Sequence, residues 1–372
     1  MMMMCDGLPA LDVKTPPGFC VALVASKLRY PRGVQPLPNG DIIVVEMGGW
    51  TENKGRVIAI GTDGKRRVLL DKLDRPNGIA LGPDGMLYVG VVKRIVRIDP
   101  AQQGKAVDFI NGLPGVGRHL LTALRFDQRG DLFVNVGSAS DHCESAAGAE
   151  PAADKPCAEN EGPQASGVIR KYSIDWPRGR VKSWEVYARG LRNSMAMAIH
   201  PDTGDLWQAE NSRDNINVRM PQLKSDSELP HDELNLVRRG AHYGWPYCYD
   251  MNVASPEYAA ARCAAYAAPV RLLPAHAAPL GMLFYTGERF PAHYKGSLVI
   301  AFHGYRKHGH RLVALLQGRQ GAPAGKMVDL IAGWNTKGKQ GRGAPVDVKQ
   351  AANGDLLLVD DHNGQLLRLH YR

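Results

Sequence analysis

The stretch PNGDIIVVE, residues 38–46, is a tight turn followed by an apolar run. Glycine after Asn or Asp supplies the left-handed backbone such turns need, and the β-branched run behind it reads as a strand. The phrase recurs as PDGMLYVGV (83–91), QRGDLFVNV (128–136), DTGDLWQAE (202–210), YKGSLVIAF (294–302) and ANGDLLLVD (352–360). Gly40, Gly85 and Gly130 lie about 45 residues apart, the spacing of four-stranded propeller blades. Later intervals are longer. Their excess falls in stretches that carry cysteine pairs, which read as loop insertions between blades. Each repeat is preceded by an apolar segment, such as GVQPLP or MAMAIHP, and usually followed by a third, such as RVIAIG or QLLRLHY. The pattern predicts an all-β fold: one six-bladed β-propeller of four-stranded antiparallel blades over residues 16–372, after an N-terminal tail of residues 1–15. Closing the ring removes exposed sheet edges.

Composition agrees with a turn-rich globular chain. It has 41 glycines and 25 prolines in 372 residues, with 44% hydrophobic and 22% charged residues. No run reaches the roughly 18 apolar residues of a membrane-spanning helix. The net charge of +9 suits an acidic partner, but Lys and Arg are scattered, without the basic runs of a nucleic-acid surface. Solvated surface with a local anion site is the expectation, with no nucleic-acid partner. Cys143 with Cys157, and Cys248 with Cys263, each enclose a polar, alanine-rich loop; Cys5 and Cys20 remain as a third pair. Such spacing favours loop-stapling disulfides, hence a periplasmic or secreted protein. The start, MMMMCDG, lacks the charged-then-apolar layout of a signal peptide, and a leader is expected to have been removed.

In a propeller, the connection into each innermost strand and the connection after each second strand share one face around the central channel. The first phase holds Arg32, Asn77, His119, Arg192 with Asn193, His276 and Arg342. The second holds Glu46, Ser138 to Asp141, Glu210 to Ser212, His303 to Arg306 and Asp360 to His362. Several arginines around a concave site suit a ligand with multiple carboxylates or phosphates, because the guanidinium fork stays charged and donates in pairs. A histidine among them can take a proton near neutral pH. Oxygens of Glu210, Asn211, Ser212, Asp232 and Glu233 suit a hard cation such as Ca²⁺.

GLRNSMAMAIHPDTGDLWQAENS (190–212), followed by DELNLVRRGAHYGWP (232–246), resembles the paired signature of soluble pyrroloquinoline quinone (PQQ) dependent sugar dehydrogenases, the aldose and sorbosone dehydrogenase group. The likeness runs from PPGFCVALVASKLRYPRGV (16–34) to GRGAPVDVKQAANGDLLLVDDHNGQLLRL (341–369). It implies PQQ and Ca²⁺ as cofactors and a small sugar or sorbosone-type aldehyde as substrate, oxidised to a lactone or acid. His119 would be the base that takes the hydroxyl proton as hydride moves to the quinone. Arg192 would polarise the quinone carbonyl, with Asn193 and Asn211 beside it. Arg342, with Arg306 or Lys307, would pair with the cofactor carboxylates. Ser212 and Arg213 match positions whose backbone carbonyls hold a catalytic calcium; Glu233 and Tyr243 match a second, structural calcium site.

Three differences from the group's pattern accompany the resemblance. Gly-Pro after the acidic strand end is replaced by Ser212 and Arg213, followed by the insertion DNINVRMPQLKSDSELPH (214–231). Arg118 stands where an aspartate usually precedes the base, and Pro76 where some relatives have glutamine. Two other activities fit the same face: a calcium-dependent lactonase, against which the arginine collar stands, and an extracellular glycan- or protein-binding propeller, which has no need of His119. The expected state is a monomer or weak homodimer, with an external electron acceptor left open.

Overall fold

The computed structural model describes residues 3–304, 306–334 and 342–372. Six four-stranded antiparallel sheets follow one another, as the repeat predicts. Blade 1 comprises Pro31–Pro36, Ile42–Glu46, Gly55–Ile60 and Arg66–Leu73, and blade 2 comprises Ile79–Leu81, Leu87–Val91, Arg94–Ile98 and Ala106–Ile110. Blade 3 is built from Leu124–Phe126, Leu132–Val136, Val168–Asp175 and Arg180–Arg189, and blade 4 from Ala196–Ile199, Leu206–Glu210, His231–Val237 and Arg271–Ala275. Blade 5 contains Pro279–Phe284, Leu298–Phe302, Arg311–Leu315 and Met327–Ile331. Blade 6 takes Pro345–Gln350, Leu356–Asp360 and Gln365–Tyr371 from the end of the chain, and its outer strand, Phe19–Ala25, from the beginning.

The quoted turns explain the repeat. Their six glycines have φ between +72° and +91°, a region that penalises a Cβ. In the first turn, Leu37 N donates to Asp41 O (2.8 Å) and Gly40 N to Leu37 O (3.0 Å). The second strand that follows is wholly buried in five of the six blades, because it packs against sheets on both faces. That burial makes its sequence a continuous apolar run rather than an alternation.

The cysteine pairs are Cys5–Cys20, Cys143–Cys157 and Cys248–Cys263, as expected. Their position differs from the expectation of insertions between blades. The 143–157 loop joins the second and third strands of blade 3, and the 248–263 loop joins the third and fourth strands of blade 4. A between-blade insertion would displace neighbouring sheets, whereas these leave the ring spacing intact. The first residues are pinned as well: Met4–Cys5 pairs with Leu8–Pro9, and Ala10 bridges Ala22.

The central channel is crossed by charge. Lys349 Nζ donates to Val34 O (3.1 Å), Ile79 O (3.3 Å) and Asp347 Oδ2 (2.9 Å). Arg125 Nε donates to Met197 O (2.9 Å), and its Nη2 lies 3.5 Å from Asp347 Oδ1. These three side chains tie together the inner strands of blades 1, 2, 3, 4 and 6. Burial pushes the Lys349 ammonium down to about 8.

Ring closure rests on the pairing of Phe19–Ala25 with Gln365–Tyr371, in which Leu23 faces Leu367 and Val21 faces Leu369. Leu367 is fully buried in the cluster that also holds Val21, Val348 and Leu358. Leu367→Ala should therefore cost about 2–5 kcal/mol in urea unfolding, as a cavity in a packed core does. Val107→Ala, on an exposed outer strand, should stay within about 0.5 kcal/mol. A Leu367→Ala loss below about 1 kcal/mol would show that closure does not carry the fold.

Candidate active site

The two polar phases meet as the blade geometry requires. Arg32 Nη1 reaches Asp361 Oδ2 (2.8 Å), whose Oδ1 meets His303 Nε2 (2.9 Å). Glu210 accepts the backbone N–H groups of Arg192 (2.7 Å) and Asn193 (2.8 Å). Between these loops lie two adjoining hollows of about 360 and 310 Å³ that share Arg118, His119, Asn193 and Asn211 in their walls.

His119 sits in the connection leading into blade 3. Its Nδ1 lies 2.9 Å from both Ser138 O and Ser138 Oγ, and that hydroxyl donates onward to Ser140 O (2.6 Å). With both serine atoms acting as acceptors, the proton belongs on Nδ1 and the Nε2 lone pair stays free. Burial, reinforced by the Arg192 guanidinium, keeps the imidazole pKa well below its ordinary 6.5. The ring is therefore a neutral, oriented proton acceptor in the cavity wall. Asn193 Oδ1, beside it, is buried and has no hydrogen-bond partner among the described residues.

Arg192 is deeply buried, with 4% of its side chain exposed. Its Nε donates to Asp141 O (3.1 Å), Nη1 to Asn211 O (2.9 Å) and Ser212 O (3.1 Å), and Nη2 to Asp141 Oδ1 (2.6 Å) and Asp214 Oδ2 (3.5 Å). A guanidinium has five N–H groups, and each has an acceptor within the protein. Arg192 thus contributes its charge to the wall and keeps no donor in reserve. The carbonyls of Asn211 and Ser212 each accept one of its N–H groups.

Three carboxylates crowd beneath this layer. Glu210 and Glu233 are directly opposed across the second and third strands of blade 4, a pairing that like charges destabilise. Burial raises Glu210 to about 7, offset in part by its backbone donors, and raises Asp232 to about 7 as well. Burial and the Glu210 charge push Glu233 well above the usual carboxylate range. Asp232 accepts Ser212 N (2.9 Å) and Ala278 N (2.8 Å), which anchors the floor of the cavity.

The structure brings His119, Arg192, Asn193, Asn211, Ser212 and Asp232 together around the larger hollow. Glu233 lies in the buried layer. Tyr243 does not join it: its hydroxyl donates to Leu236 O (2.5 Å) and accepts from Arg238 N (2.8 Å), at the far end of that strand. The Arg213 guanidinium is buried against Glu257. Arg306 pairs with Asp226 (2.5 Å) and lies 3.6 Å from Asp214. Lys307 is exposed and paired with Glu228, and Arg342 is exposed at the connection leading into blade 6.

Arg118, noted in the sequence as a difference beside the base, lines the wall next to His119. Two other residues of the wall escaped the motif reading. Trp50 follows the second strand of blade 1, the phase already singled out by Glu46. Asp214 begins the insertion at 214–231, where no period or motif marks it.

Comparison with known proteins places this geometry. The family described as glucose / sorbosone dehydrogenase matches residues 110–368. A pyrroloquinoline quinone-dependent sugar dehydrogenase of Hypocrea jecorina is 24% identical over 63% of this chain and 56% of that protein. Among solved structures, the calcium structure of a Trichoderma reesei family AA12 carbohydrate-active enzyme superposes with a TM-score of 0.76 at 19% identity, covering 98% of both chains. The holo form of the pyranose dehydrogenase PQQ domain from Coprinopsis cinerea also gives 0.76, at 20% identity, over 98% of this chain and 99% of that one. At such identities the superpositions speak for the fold. The family match, spanning more than half of the sequence, shows that this chain belongs to the glucose / sorbosone dehydrogenase family.

Proposed function

We propose that the protein is a PQQ- and calcium-dependent dehydrogenase that oxidises the anomeric hydroxyl of an aldose, or a sorbosone-type aldehyde as its hydrate, to a lactone or acid. The observation that carries this reading is the neutral His119, held by Ser138 with its Nε2 free in an arginine-lined cavity. The PQQ and calcium named for the relatives support it. The three disulfides support an oxidising compartment, periplasmic or extracellular.

The cavity fits the quinone cofactor. About 360 Å³ in volume, with Arg118 and Arg192 in its wall and Arg306 beside Asp214 of that wall, it suits a planar tricarboxylate. Arg118, Arg306, Asn193 and Asn211 would hold it, with Lys307 and Arg342 as outer cations. When bound, PQQ supplies the two-electron acceptor that takes hydride from the sugar C1. Glu210, Asp232 and Glu233 are hard oxygen donors of one buried layer, but their carboxylates do not converge within reach of a single ion, so the calcium is not assigned to them.

His119 then acts at one atom. Its Nε2 would take the proton of the substrate hydroxyl as that O–H bond breaks and the C=O bond forms, the bound quinone supplying the hydride acceptor. Ser138 fixes the ring so that this lone pair faces the cavity. Arg192 would contribute a fixed, buried positive charge to the wall of the cavity that holds the quinone.

Replacing His119 with glutamine should lower turnover by about 10²–10⁴-fold, the usual worth of a positioned base, while PQQ affinity changes little. Parent-like turnover by that variant, with PQQ bound, would refute the assignment. The acid limb of kcat/KM should lie below pH 6.5, because His119 must be neutral to act and burial, together with the nearby Arg192 and Arg118, disfavours the imidazolium. Removing one of those cations by Arg118→Gln should move the limb upward. An unmoved limb, or one displaced downward, would assign that ionisation to another group.

A further inference from the structure

Two of the sequence differences are partners. Arg118, beside the base, donates through Nη2 to Asp214 Oδ2 at 2.8 Å, across 96 residues. The same carboxylate lies 3.5 Å from Arg192 Nη2, 3.6 Å from Arg306 Nη2 and 3.6 Å from His276 Nδ1. Three arginines and a histidine thus surround one side-chain carboxylate, which itself lines the larger hollow and is 16% exposed there.

The backbone holds Asp214 in that position. Its N–H donates to Asp141 Oδ1 (2.8 Å), and the next N–H, of Asn215, donates to Asp226 Oδ2 (2.7 Å). His276 Nε2 is 2.7 Å from Asp226 O, an acceptor, so the Nε2 proton is committed and Nδ1 faces Asp214. Arg118, by contrast, is 45% exposed, and among the described residues its side chain bonds through Nη2 alone.

We infer that this cluster is a carboxylate subsite of the cavity and that Asp214 is its resident occupant, an internal anion that a ligand carboxylate must displace. Asp214 thereby sets the affinity for anionic ligands: with Asp141 and Asp226, which pair with Arg192 and Arg306, it balances the collar when no ligand is present, and it competes with a ligand that arrives. Without it, Arg118 loses its 2.8 Å partner and the collar carries an excess positive charge that draws in solvent anions. The inference takes the identity of the ligand from the proposed function, but the subsite stands on the side chains alone.

The test uses the full chain, Asp214→Asn and Asp214→Ala. In calorimetric titration, Asp214→Asn should bind PQQ about tenfold tighter than the parent, since one competing charge is removed from a partly screened cluster. In thermal melts of cofactor-free protein, Asp214→Ala should be stabilised by millimolar acetate over chloride at equal ionic strength, because acetate refills the vacated subsite; the parent should show no such preference. Equal or weaker PQQ binding by the asparagine variant would mean that Asp214 holds the arginines in place for the ligand, and would overturn the inference. Absence of any acetate preference in the alanine variant would do the same, and if that variant does not fold, the asparagine titration decides. A parent that binds no PQQ would refute the cofactor assignment instead, while the acetate measurement still tests the subsite.

Discussion

Everything in this molecule hangs on one strand pairing, that of Phe19–Ala25 with Gln365–Tyr371. A propeller is a closed ring of sheets that touch only their neighbours, so blade 6 has its outer strand only if the two ends of the chain meet. The consequence reaches the channel. Arg32 of blade 1 is bound to Asp361 of blade 6, and Lys349 of blade 6 to carbonyls of blades 1 and 2. None of these long-range bonds survives an open ring. Closure also fixes how far apart the six loops at the active face stand, and therefore the size of the cavity.

Within that frame the cavity is a study in charge balance. Arg118, Arg192 and Arg306 face Asp141, Asp214 and Asp226, so the wall carries cations without an uncompensated field. His119 is affected differently. It lies near the arginines but binds only serine atoms, so it experiences their charge without a carboxylate of its own. A histidine paired with aspartate would be driven towards the imidazolium; one held by a backbone carbonyl among cations stays neutral, which is the state a base requires.

The fold was legible because each blade repeats a physical demand. A left-handed residue at a fixed phase, followed by a strand buried on both faces, leaves glycine and an apolar run that no solvent-exposed segment would keep in register. His119, Arg192 and Asn193 were legible for the same reason, since their phase puts them on the channel face whatever their identity. Asp214 was not, because it lies in an insertion whose path depends on tertiary bonds to Asp141 and Asp226 rather than on any period. Asp347 and Lys349 were hidden differently. Charged residues in PVDVKQ suggest a solvated face, and only the closed ring turns that face into a channel lined by carbonyls in need of a donor. Tyr243 was placed with Glu233 by a shared motif; its hydroxyl is bonded to Leu236 and Arg238, which commits the side chain but not the backbone carbonyl.

The central claim is that an arginine-walled cavity with a neutral histidine presents bound quinone to a sugar. Its most direct measurement is a difference-absorbance titration of the cofactor-free protein with PQQ in the presence of Ca²⁺, followed by anaerobic addition of an aldose without any external acceptor. The account predicts saturation at one PQQ per chain, retention of the chromophore through gel filtration, and conversion of its spectrum to the reduced form when the sugar is added. Quinone that elutes free of the protein, or a bound spectrum that no aldose or sorbosone-type aldehyde alters, would contradict it.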